Sequence, residues 1–205
     1  MSVKYYDWTA YHANMRGNKV AIIDLDTQNE LTYAQLDQRA ERLAAWLQSQ
    51  GVIKGDRVAL LTPNCPEVFE AEFACAKIGA ICIPLNWRLT VPELEYILND
   101  STPKVLIFDQ SFSQQAAALK GLCSFAHDLE VEMQNASSSY ELALAGAAEK
   151  CQAVECTHDD VAMIMYTSGT TGHPKGAMIT FGMNLYNVIN LGMPAGVNAN
   201  AVQLV

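Results

Sequence analysis

Tyr166-Thr-Ser-Gly-Thr-Thr-Gly-His-Pro-Lys-Gly176 places three glycines, four aliphatic hydroxyls and one lysine within eleven residues. The stretch follows the apolar run Val161-Ala-Met-Ile-Met-Tyr166, which reads as a buried strand. A glycine- and hydroxyl-rich segment leaving a strand has the chemistry of a polyphosphate loop. Glycines at 169, 172 and 176 allow close backbone approach to a ligand. Successive amides in such a turn form an anion nest. Thr167, Ser168, Thr170 and Thr171 add hydroxyls that donate to phosphate or ligate a hard cation through oxygen. Lys175 supplies a positive charge, and Pro174 stiffens the approach to it. Each hydrogen bond to a charged phosphate contributes on the order of 1.5–3 kcal/mol, so several together hold a nucleotide.

Two better-known glycine loops do not fit. A Walker A loop needs Gly, four residues, then Gly-Lys-Ser/Thr, and here Gly follows Lys175. The dinucleotide fingerprint Gly-x-Gly-x-x-Gly does not occur in the stretch. A plain surface turn is the remaining structural reading, but turn chemistry alone does not ask for four hydroxyls and a lysine.

Outward from the loop, strands alternate with helices. Thr32 and Gln35 form a capping box, and Leu36, Ala40, Leu43, Ala44 and Leu47 follow at helical spacing up to Gly51. Arg57–Thr62 reads as a buried strand, and Pro66 opens a helix that ends near Gly79. Ala80–Leu85 is a second strand. Thr90-Val-Pro-Glu93 opens another helix ending near Asp100, and Lys104–Asp109 is a third strand. Region 111–156 is richer in Ala, Gln and Ser and reads as short helices around a loop at Ser137–Ser139. A helix is expected from about Phe181 to Leu191. The pattern predicts an α/β fold with a largely parallel sheet flanked by helices. Ligands bind beyond the carboxyl ends of strands in such sheets, where the glycine loop lies.

Composition narrows the class. The chain has 205 residues, half of them apolar, and a net charge of −9 from 22 acidic and 13 basic residues. That is a globular composition with no basic cluster, so no nucleic-acid partner is expected. Phosphate binding must then come from local geometry and a metal rather than a long-range positive field. Neither a leader peptide nor a run of membrane-spanning length is visible. Six cysteines, at 65, 75, 82, 123, 151 and 156, lack metal-ligand spacing. Cys75 and Cys82 read as reduced core residues, which fits a cytoplasmic location.

Other side chains have structural readings. His173 is expected to be exposed filler rather than an acid or base, because no partner stands near it. Arg88 is expected to pair with or cap near Glu93 and Glu95. Asp159-Asp160 reads as a turn before a strand rather than a metal pair.

The 166–176 stretch closely resembles the phosphate-binding signature of the adenylate-forming (AMP-binding) family, which includes acyl-CoA synthetases, luciferases and peptide-synthetase adenylation domains. Leu31-Thr-Tyr-Ala-Gln-Leu36 resembles an early element of that family, with Gln35 in place of Glu. Ala76-Lys-Ile-Gly-Ala-Ile-Cys-Ile-Pro-Leu85 resembles its Ala/Gly-rich strand entry, and Asn86-Trp-Arg-Leu89 resembles the acyl-CoA synthetase (fatty-acid–CoA ligase) branch. Phe181 departs from the pattern, since many relatives carry His after Thr180.

The resemblance implies the N-terminal portion of the adenylate-forming fold and an acid–thiol ligase that uses ATP, Mg²⁺ and coenzyme A. A carboxylic acid, fatty in the branch resembled, attacks the α-phosphate of ATP; the acyl-adenylate then passes its acyl group to the thiol. Thr167 would ligate Mg²⁺. Ser168, Gly169, Thr170, Thr171 and Gly172 would contact phosphates, and Lys175 would neutralise the β/γ charge as the catalytic lysine of this stretch. A homodimer is one compatible assembly. The family's adenine-binding segment, metal-binding Glu, ribose-binding Asp, hinge and C-terminal lysine would lie beyond Val205, as would its C-terminal lid domain. Residues 1–205 are therefore expected not to catalyse the reaction alone. A non-catalytic nucleotide-binding or interaction module is the alternative.

Overall fold

The computed structural model describes residues 2–167, 173–192, 194–198 and 200–204 of the chain. An N-terminal unit comprises helix α1 (Trp8–Arg16) and a short antiparallel ribbon of β1 (Val20–Ile23) and β2 (Glu30–Thr32). It leads into α2 (Tyr33–Ser49), whose start carries the expected capping box. The Gln35 amide donates to Thr32 Oγ1 at 3.3 Å, and the Thr32 amide donates to Gln35 Oε1 at 2.9 Å. The five apolar positions read from helical spacing, Leu36, Ala40, Leu43, Ala44 and Leu47, are its buried residues.

Six strands then form one sheet in the order β6-β5-β3-β4-β7-β8. They are β3 (Arg57–Leu61), β4 (Ile81–Pro84), β5 (Val105–Asp109), β6 (His127–Val131), β7 (Val161–Thr167) and β8 (Lys175–Thr180). Pairing is parallel from β6 through β7, and β8 runs antiparallel to β7 at the edge. Helices α3 (Pro66–Ile78), α4 (Val91–Ser101), α5 (Ser113–Lys120), α6 (Ser139–Gly146) and α7 (Phe181–Gly192) connect and flank the strands. Helix α3 begins on Pro66 and ends on Gly79, whose φ of +69° closes the helix in the left-handed region that favours glycine.

Period-two alternation divides the central strands between two cores. Val58 and Leu60 of β3 face a layer built with α2, α3 and α6. Ala59 and Leu61 face a second layer built with α4 and α5. Both faces are covered, so β3 reads as continuous apolar sequence. Leu43, Leu47, Ile83 and Ile97 are fully buried, each contributing about 1.5–3 kcal/mol relative to exposure.

Region 111–156 holds more than short helices. It also contributes β6, whose His-Asp-Leu-Glu-Val sequence buries only Leu129 and Val131 because it lies at the sheet edge. β8 also differs from the sequence reading, which carried the loop to the helix at 181 without a strand. Cross-strand pairing with β7 overrides the weak strand signal of Lys-Gly-Ala.

Candidate functional site

The described flanks of the glycine-rich stretch pair as antiparallel strands. β7 enters it and β8 leaves it, with Thr167 directly opposite Lys175 and Tyr166 opposite Gly176. The expected phosphate contacts Ser168, Gly169, Thr170, Thr171 and Gly172 lie outside the described residues. The two expected ligands that flank them, Thr167 and Lys175, are exposed at the hairpin mouth. Residues directly opposite on an antiparallel ladder project to the same face with Cβ atoms about 4.5–5.5 Å apart. The two side chains therefore leave the same face of the ladder from neighbouring backbone positions. Among the described residues, neither side chain has a hydrogen-bond or ion-pair partner.

Alternation sends the neighbouring pair the other way. Tyr166 and Ile164 pack against the α4–α5 core layer. The Tyr166 hydroxyl donates to Asp100 Oδ2 of α4 at 2.5 Å. Burial, with the Asp100 carboxylate, pushes the Tyr166 phenol up. A Cβ on Gly176 would meet Ile164 Cγ2 at 2.8 Å and Tyr166 Cζ at 3.1 Å. The sequence reading took Gly176 as a glycine that lets the backbone approach a ligand, and the structure adds a packing reason for it. It lies within β8, and its missing side chain makes room for the Tyr166 ring. Likewise, the backbone of Lys175 is fixed in the ladder rather than in the loop.

Four other sequence expectations resolve structurally. His173 is exposed, but its ring stacks on Tyr96 of α4 with centroids 5.0 Å apart and planes at 24°. Arg88 has no ion pair among the described residues. Its guanidinium lies 3.9 Å from the Trp87 ring centroid, a contact that a planar, weakly hydrated cation makes readily. Asp160 closes the expected turn by accepting from the Thr157 amide at 2.7 Å and from Lys54 Nζ at 2.8 Å. Phe181 is buried and packs on Tyr5 at 4.1 Å between centroids, so this side chain has a core role.

One acidic cluster invites a metal reading and does not support it. Asp7, Asp37 and Glu41 place carboxylate oxygens within 4.8 Å of one another. Lys77 Nζ sits among them at 2.8, 2.7 and 3.2 Å, so a buried ammonium already supplies the cation. Cys75 and Cys82 are buried free thiols, as expected, and all six cysteines are free.

The residues that grip the hairpin from α4, Tyr96 and Asp100, carried no sequence signal. They meet His173 and Tyr166 only through the fold; the Tyr166–Asp100 bond spans 66 residues of chain.

Comparison with known proteins agrees with this geometry. The profile of the family described as "AMP-binding enzyme" matches residues 9–204. The chain is 40% identical over 184 residues to a feruloyl-CoA synthase of Amycolatopsis sp, covering 90% of this chain and 35% of that protein. It is 41% identical over 160 residues to a long-chain-fatty-acid–CoA ligase of Mycobacterium tuberculosis, covering 78% and 31%. The chain thus spans about a third of the length of these curated relatives, matching their N-terminal part. Among solved structures, the N-terminal domain of FACL13 from Mycobacterium tuberculosis superposes with a TM-score of 0.76 at 37% identity, over 87% of this chain and 45% of that one. ATP-bound MatB from Rhodopseudomonas palustris superposes with a TM-score of 0.75 at 31% identity, over 90% and 37%. An anthranilate–CoA ligase in complex with anthranoyl-AMP superposes with a TM-score of 0.82 at 27% identity, over 93% and 36%. By sequence profile and fold together, the chain belongs to the AMP-binding enzyme family.

Proposed function

We propose that this chain is the phosphate-holding part of an AMP-forming acid–CoA ligase. Such an enzyme joins a carboxylic acid to AMP from ATP and transfers the acyl group to coenzyme A. The carrying observation is the opposition of Thr167 and Lys175 across the hairpin mouth, exposed and without partners among the described residues. A hydroxyl oxygen beside an ammonium is a donor set suited to Mg²⁺ and phosphate oxygens together. Lys175 would offset the negative charge that develops on the leaving pyrophosphate, a role supported by a backbone held in the ladder. Thr167 offers its oxygen to Mg²⁺, which offsets phosphate charge when bound. The acid is proposed to be fatty, supported by the similarity to the mycobacterial long-chain ligase. All six cysteines are free thiols, which supports a reducing, cytoplasmic setting. No helix among the described residues is long and apolar enough to cross a membrane.

Residues 1–205 by themselves are proposed not to complete the reaction, because they span only about a third of the relatives' length. The test is a fusion of this chain to the remaining two-thirds of the Amycolatopsis relative. Acid-dependent ATP–pyrophosphate exchange by the folded fusion is the expected result. A folded fusion without exchange, beside an active relative, would overturn the assignment. Acyl-CoA formation by unfused 1–205 would overturn only the statement about the chain alone.

A further inference from the structure

Helix α4 holds the hairpin at both ends. Tyr96 and Asp100 stand four residues apart, so they share one face of the helix, separated by about one 5.4 Å turn. Asp100 Oδ2 accepts from the Tyr166 hydroxyl at 2.5 Å, immediately before Thr167. Tyr96 stacks on His173, immediately after Gly172. Tyr166 and His173, one on each strand-side flank of 168–172, are thus both held by a single turn of α4. That turn is itself anchored, because Leu94, Ile97 and Leu98 on the same helix are buried against the sheet.

We propose that Tyr96 and Asp100 are positioning residues that fix the two ends of the phosphate hairpin. Neither stands at the hairpin mouth; each acts through a hairpin residue, one through an aromatic stack and one through a charged hydrogen bond. A stacked ring pair is enough to reduce local opening several-fold. Holding Tyr166 and His173 restrains the backbone that carries Thr167 and Lys175, and groups fixed beforehand lose less freedom on binding phosphate. This role rests on reading 167–176 as the phosphate-holding segment.

Amide hydrogen exchange of folded 1–205 tests it, with Tyr96→Ala, Tyr96→Phe, Asp100→Ala and Asp100→Asn. Tyr96→Ala and Asp100→Ala are each expected to speed exchange of amides in the hairpin about three- to tenfold, while exchange in β3 is unchanged. Tyr96→Phe keeps the ring and Asp100→Asn keeps an acceptor oxygen, so both are expected to restore near-parental rates. Unchanged hairpin exchange in both alanine variants would overturn the proposal. Acceleration spread equally over β3 and the hairpin would also overturn it, by showing general destabilisation. Magnesium pyrophosphate is the second probe. Protection of parental hairpin amides that weakens in the alanine variants supports positioning for phosphate. Local acceleration without any pyrophosphate protection would overturn the phosphate reading while leaving the two-point attachment standing.

Discussion

The ring of Tyr166 occupies the space that a Cβ on Gly176 would need, with Cζ only 3.1 Å from that position. The two residues are opposite partners on the β7–β8 ladder, so the contact is built into the strand register. One glycine thus lets a tyrosine lie across the base of the hairpin and reach Asp100 on α4.

Gly176→Ala is therefore expected to push the Tyr166 ring or the Ile164 methyl aside. Overpacking of this kind costs about 1–3 kcal/mol, which exceeds the roughly 0.4–1 kcal/mol gained from a less flexible unfolded chain. Chemical denaturation should show a lower midpoint. The loss should shrink when Ile164→Ala is combined with Gly176→Ala, because the closest neighbour at 2.8 Å is then removed. Additive losses would contradict this packing account.

Lys175→Ala and Thr167→Val are expected to weaken adenylation strongly in the active fusion, by at least about tenfold each, without lowering thermal stability. Both side chains are exposed, and neither has a partner among the described residues, so their removal leaves no internal group unpaired. Acid-dependent ATP–pyrophosphate exchange measures the effect, and unchanged exchange in both variants would sink the assignment of the hairpin mouth.

Lys77 predicts an inversion of acid sensitivity. Its side chain is only 2% exposed and serves Asp7, Asp37 and Glu41. Burial opposes ionisation of Asp7, but hydrogen bonds from the Ala10 amide, Lys77 and Thr9 outweigh it and hold the carboxyl below its usual range. Burial likewise opposes ionisation of Glu41, and the Cys151 amide and Lys77 outweigh it. Carboxyls with lowered folded values stabilise the protein fully above their unfolded range, near pH 4–4.5, and lose that contribution as pH falls through the lower folded values. Lys77→Met leaves three carboxylates together without a cation. The variant should lose about 3 kcal/mol at neutral pH, toward the lower end for a broken buried pair because the carboxylates reach water. Mutual repulsion should then raise their pKa values, so the network should regain stability as pH falls from 6 toward 4. Parallel pH profiles for parent and variant in urea denaturation would refute this.

Tyr140→Phe tests a second buried network. Glu70 is fully buried on α3, paired with Arg39 Nε at 2.6 Å and receiving the Tyr140 hydroxyl at 2.8 Å on its other oxygen. Removing the hydroxyl leaves that oxygen without its donor, at a cost of about 1–3 kcal/mol. A change below about 0.5 kcal/mol in denaturation free energy would show that another donor replaces it.

Much of the central sheet and its helices was legible in local sequence. The capping box at Thr32 and Gln35, the apolar stripe from Leu36 to Leu47, and the punctuation by Pro66 and Gly79 each depend on neighbours a few residues away. Periodicity and backbone preference report such local constraints. Edge strand β6 and the N-terminal ribbon were not legible. β6 buries only Leu129 and Val131 and is held by pairing with β5, and the ribbon strands β1 and β2 are too short, at four and three residues, to carry a periodic pattern. The exposed placement of His173 was foreseen, but its stack on Tyr96 was not.

The 166–176 sequence by itself pointed to the AMP-binding family, and the family profile over residues 9–204 agrees. Tertiary structure alone decided how the chemistry is held. It set Thr167 opposite Lys175 through strand register, made Gly176 a seat for the Tyr166 ring, and brought Tyr96 to His173 and Asp100 to Tyr166. The physical reason is that donor chemistry is written in consecutive residues, whereas orientation depends on strand register and on contacts from a distant helix, such as the Tyr166–Asp100 bond across 66 residues of chain.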